Sequence, residues 1–245
     1  MRIQEILTES FVDDRVIIDA ATAVADKIID NWAVFMYPSI FGHQRGRDDS
    51  PSAFAGYVRQ AAINLRNIED PLYQQLGQTQ VRISELEGGQ QAFAGRLGKE
   101  FAIFLNYEKF DGYGKDISGL RPWLVETLSH ELRHVLDLIK RDASPSKKKF
   151  NFSKSKYYQK PHIADEPDST QSEVNAYFTQ ILHQVEADLK HNKITDVNRA
   201  LKFGQESLED SQLADVIFGG WDNNNPVLRR LSARMAQFIH NLYQQ

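Results

Sequence analysis

The stretch ETLSHELRHVLD, Glu126 to Asp137, carries two periodicities at once. Leu128, Leu132, Val135 and Leu136, continued by Ile139, recur at three- and four-residue intervals, the spacing of one face of an α-helix. His130, His134 and Asp137 recur at intervals of four and three on a different stripe. The pattern predicts a long helix over residues 123–141, introduced by Arg121–Pro122. One side of it is apolar and suited to a core; the side bearing the histidines is polar.

Within that helix, HELRH has the form H-E-x-x-H. Side chains four residues apart share a helix face, so His130 and His134 can chelate one ion. Zinc takes neutral imidazole nitrogens at about 2.0–2.1 Å, and a helical pair spans that bite. Glu131 stands next along the chain. It can reach the open position of such an ion without being a ligand, where a carboxylate acts as a base toward water. With 7 histidines in 245 residues, a shuffled chain would contain the pattern by chance only roughly 0.01 times.

Two imidazoles do not complete a zinc site, which usually has three protein ligands and a water. The chain has no cysteine, so thiolate sites, iron–sulfur clusters, disulfides and a cysteine nucleophile are excluded. The third ligand must then be an imidazole or a carboxylate. The best placed is Glu173, in QSEVNAYF, 39 residues after His134 and near the start of the next predicted helix. His162, Asp165, Glu166 and Asp168 in the intervening segment compete for the role. Tyr177, one turn beyond Glu173, is placed to support a ligand. Asp137 either orients an imidazole through its second nitrogen or pairs with Arg133 or Arg141. Tyr157 and Tyr158 either stabilise an oxyanion at the metal or pack their own loop.

Outward from this centre, the period changes. Val81 and Ile83 alternate with polar residues, Gly88–Gly89 marks a turn, and Phe93–Leu97 follows as a second strand. Phe101–Tyr107 is apolar on both faces, as a buried central strand is. Residues 79–107 are therefore expected to form a small, mostly antiparallel sheet. On the N-terminal side, Val16, Ile17, Ala20, Val24 and Ile28 predict a helix from Asp13 to about Tyr37–Pro38, and Ser50–Pro51 a second one through Leu65. On the C-terminal side, helices are expected over 170–191, 195–203 and 207–218, and from Asn225–Pro226 to about Tyr243. Between the active helices lies a lysine-rich loop, 142–161, whose default reading is a solvated insertion. The expected organisation is an N-terminal helical part, 1–75, a metal-binding core, 76–192, and a C-terminal helical part, 193–245, with an α+β, mainly helical fold.

The bulk composition narrows the function further. A hydrophobic fraction of 41% and a charged fraction of 25% are those of a globular protein. A net charge of −4 argues against general nucleic-acid binding. No apolar run approaches the roughly 20 residues needed to cross a bilayer, and MRIQEILTES is too polar and acidic for a secretory signal. A cytoplasmic or particle-associated protein without a membrane partner is expected.

The pair of HELRH and a downstream E-x-N-A-Y resembles the gluzincin metallopeptidases, whose third ligand is a glutamate on a later helix. SEVNAYF is also similar to the third-ligand helix of the ImmA/IrrE-like peptidases, and the chain resembles small HExxH proteins encoded by tailed bacteriophages. The likeness covers mainly residues 120–185. Ser172 and Tyr177 stand where thermolysin-like enzymes carry an asparagine and an aspartate, and no Gly-x-x-His follows His134 as in metzincins. The resemblance implies a zincin-like zinc peptidase acting on a protein or peptide. Its alternative is a virion structural or interaction protein that keeps the zincin fold and metal with little or no peptidase activity, in contact with other virion proteins.

Overall fold

The computed structural model describes residues 3–36, 70–84, 86, 90–97, 100–106, 117–143 and 167–244. The chain divides into two compact units. One comprises Met1–Ile17 with Ser146–Gln245, and the other Ile18–Pro145. A long helix, α1 (Ile3–Met36), contributes to both.

The Ile18–Pro145 unit is α+β. A short helix, α2 (Pro71–Leu76), precedes three strands, β1 (Gln80–Ser84), β2 (Ala92–Leu97) and β3 (Glu100–Asn106), and then a long helix, α3 (Ile117–Ala143). Nothing in the period of the sequence announces α2, yet its caps do. Asp70 accepts from the Leu72 amide at 2.8 Å and Pro71 occupies the first helical position. The second expected helix, over 51–65, lies outside the described residues.

The sheet order is β1-β3-β2, so the strand that is apolar on both faces takes the centre. Val81, Phe101, Ala102, Ile103 and Leu105 are buried in it. The sheet is mixed rather than mostly antiparallel: β2 runs antiparallel to β3, but β1 pairs with β3 in parallel register, Val81 opposite Ile103. The physical reason is the demand of β3 for cover on both edges. Residues 98–99 are too short a link for anything but an antiparallel β2–β3 pair. β1 takes the remaining edge of β3 in the parallel sense.

Helix α3 packs on β2, β3 and α2. It begins at Ile117, ahead of the expected start, and takes Pro122 inside it. A proline near a helix start forfeits a single backbone bond, and burial of Leu120, Leu124 and Val125 holds the turn together. Two polar contacts pin α3 across β2. Near its N-terminus, Trp123 Nε1 donates to Gln91 Oε1 at 2.9 Å. At its C-terminus, Arg96 of β2 pairs with Asp142. Arg121 further ties α3 to Asp26 of α1 at 2.7 Å.

The other unit is helical among its described residues: the start of α1, then α4 (Pro167–His191), α5 (Val197–Glu209), a π-helical turn (Leu213–Ile217) and α6 (Pro226–Leu242). Asp196 caps α5 by accepting from the Arg199 amide at 2.8 Å, and Asn225 caps α6 by accepting from Val227 at 2.9 Å. Helix α5 runs through Gly204, where the sequence suggested a break between two short helices. A Cβ on Gly204 would stand 2.4 Å from Ile239 Cδ1, so this glycine serves the close approach of α5 to α6 and not a turn. Among the described residues no helix is long and apolar enough to cross a membrane.

Candidate metal centre

The core demands of α3 leave only one stripe of it partly open. Leu124, Leu128, Leu132, Val135 and Leu136 are fully buried, and Ile139 nearly so. His130, His134 and Asp137 are half-buried along the remaining stripe, together with Glu126 one turn before His130.

His130 Nε2 and His134 Nε2 lie 3.2 Å apart, with the rings at 77° to one another. Two nitrogens each about 2.0–2.1 Å from a tetrahedral ion stand about 3.3–3.4 Å apart. The imidazole pair is therefore already spaced as two ligands of one ion. Without an ion, the same distance suits a hydrogen bond in which one ring donates to the lone pair of the other.

Glu173 lies in the second turn of α4, half-buried. Among the described residues, His130, His134 and Glu173 form a group whose ligand atoms all lie within 4.8 Å of one another, and such a group can hold a metal ion. Two imidazoles and a carboxylate are a donor set that a divalent transition metal accepts. Of the competing donors, His162, Asp165 and Glu166 lie outside the described residues, and Asp168 falls in the first turn of α4.

The remaining expected residues fall as follows. Glu131 follows His130 on α3 and is only 7% exposed. Tyr177 is half-buried one turn beyond Glu173. Asp137 accepts a hydrogen bond from Arg133 Nε at 3.1 Å. This realises one of its two expected roles, though in a largely buried pair and not at the surface: the side chains are 7% and 19% exposed. Tyr157 and Tyr158, with most of the lysine-rich loop, lie outside the described residues.

No protein-family model matches the chain, and no curated protein or solved structure matches it either.

Proposed function

We propose that this protein is a zinc metallopeptidase that hydrolyses peptide bonds in a protein or peptide substrate. The observation that carries the reading is the group formed by His130, His134 and Glu173, two of its members belonging to an H-E-x-x-H helix that sets a buried acid beside them. Zinc would supply Lewis acidity there, toward a water molecule and toward the scissile carbonyl. The rest of the work falls to the chain. Glu131 takes a proton from the attacking water and delivers it to the leaving amine nitrogen. Its burial keeps that proton from exchanging with bulk water between the two transfers. The resemblance to phage-encoded HExxH proteins supports a cytoplasmic or virion-associated site of action, with virion proteins as partners.

The test pairs elemental analysis with a quenched-fluorescence peptide library. The parent should carry about one zinc per chain. Glu131→Gln keeps the size and loses the basicity, so it should retain the zinc and lose about 10²–10⁴-fold of the hydrolysis rate. Unchanged cleavage by Glu131→Gln would defeat the assignment of the base. A zinc-loaded parent that cuts no member of the library would defeat the peptidase reading and leave a structural metal centre.

A further inference from the structure

The unit that carries Glu173 contains a set of buried charged contacts that the metal chemistry does not use. Asp14 of α1 is 2% exposed. It accepts from Thr179 Oγ1 of α4 at 2.9 Å and from a terminal nitrogen of Arg234 of α6 at 2.8 Å. The guanidinium of Arg234 also lies 4.5 Å from the ring centre of Phe178 on α4. One residue along α1, Arg15 donates to both carboxylate oxygens of Glu186 at 2.9 Å, and Lys190 donates to the same carboxylate at 2.6 Å. Successive residues of α1 thus grip α4 at two points seven residues, or about two turns, apart.

The direction of the grip is informative. At about 100° per residue, Thr179 and Glu186 lie about 220–240° round α4 from Glu173. They occupy one stripe on the far side of the helix from the ligand. Contacts on that stripe fix how α4 is rotated about its axis, and rotation decides where Glu173 points. A carboxylate carried about 6 Å from a helix axis moves about 2 Å for each 20° of rotation, as far as a zinc–oxygen bond is long. The apolar residues of α4, among them Val174, Phe178, Leu182 and Val185, hold it in the core. Apolar packing is non-directional, whereas hydrogen bonds to ionised groups are short and angular. Buried ion pairs seldom stabilise a fold more than apolar side chains of the same volume would. What they add here is a fixed angle.

We propose that Asp14–Thr179 and Arg15–Glu186 are positioning contacts that set the rotation of α4 and thereby aim Glu173 at the metal; this rests on the zinc reading above. Thr179 is suited to the task. It is β-branched, and its hydroxyl is also 3.0 Å from the carbonyl oxygen of Asn175 one turn back, which restricts its rotamer.

The experiment is a zinc-competition titration with a chromophoric chelator on the full chain. Thr179→Val preserves shape and removes the donor to Asp14. It should weaken zinc binding about 10-fold or more, the range seen when groups supporting a ligand are lost, and Thr179→Ser should restore it. In a Glu173→Ala background, Thr179→Val should have no further effect, because the residue it acts through is gone. Glu186→Gln, which breaks the second grip, should behave in the same way and serves if Thr179→Val fails to fold. Unchanged zinc affinity in both variants, or an equal loss with and without Glu173, overturns the proposal while leaving the metal centre intact. A parent that binds no zinc, or a Glu173→Ala chain that binds it as well as the parent, overturns the metal reading itself.

Discussion

Helices α3 and α4 carry the three candidate metal ligands, yet they are anchored by different physics. The anchoring side of α3 is mainly apolar: Leu124, Leu128, Leu132, Val135 and Leu136 are fully buried along it, with Glu131 as the one acid on that side. The anchoring side of α4 mixes apolar residues with Thr179 and Glu186, which meet Asp14 and Arg15. The first helix is held mainly by exclusion of water, with its ion pairs to Arg96 and Asp26 at its exposed ends. The second is held in part by ionised groups, which are angular and titrate. The difference separates what holds a helix in place from what aims it.

The largest effect expected on this comparison is at the metal. Changing both His130 and His134 to Ala should abolish zinc binding, because a lone carboxylate from α4 cannot hold the ion tightly. The fold should survive, since both imidazoles are on the one stripe of α3 that the core does not claim. Elemental analysis that found unchanged zinc in the double variant would defeat the assignment of the two imidazoles as ligands.

The same contrast explains how much could be read from the sequence. The α3 stripe and its histidines are a local pattern, repeated every three or four residues, so both the helix and two of its site residues are legible. Glu173 is legible through the company it keeps in SEVNAYF and the absence of cysteine. The partners of Thr179 and Glu186 are not. They lie 165 and 171 residues away in Asp14 and Arg15, and no local periodicity says which of many acids and bases will meet. The parallel β1–β3 pairing was hidden for a related reason. Alternation identifies a strand and its buried face, but which edge it joins depends on the whole sheet. The break expected between residues 203 and 207 fails for the same reason, since the role of Gly204 there is set by Met235 and Ile239 of α6.

A second, smaller effect is expected in the apolar half. Leu132 is fully buried on α3, so Leu132→Ala should cost about 2–5 kcal/mol by lost transfer energy and the cavity left behind. Measured by urea denaturation between pH 4 and pH 7, the loss should be the same throughout that range, since the contacts removed carry no charge. A loss that changed with pH would mean that the packing of Leu132 is coupled to titrating neighbours.

The smallest effect is the one that tests the polar half. Burial raises the tendency of Glu186 to hold a proton, but hydrogen bonds and charges from Lys190 and Arg15 outweigh it, and its carboxyl lies below the ordinary glutamate value. A group whose folded pKa is depressed stabilises the fold above its unfolded pKa, and that stabilisation is lost as pH falls through the folded pKa. The unfolded value is about 4.3, so the contribution should be complete near neutrality and fade below that pH. Glu186→Gln removes the charge and keeps the shape. Arg15 is 31% exposed and Lys190 72% exposed, so neither cation is left stranded in the core. The cost near neutrality should then be on the order of 1–2 kcal/mol, the worth of hydrogen bonds to a charged group, and well short of breaking a fully buried pair. Denaturation of the two proteins should converge as the pH is lowered below the unfolded value and through the folded one, where the parent's glutamate is itself neutralised. Curves that already coincide near neutrality would show that the ionised carboxylate contributes nothing, and would leave α4 held by the same physics as α3.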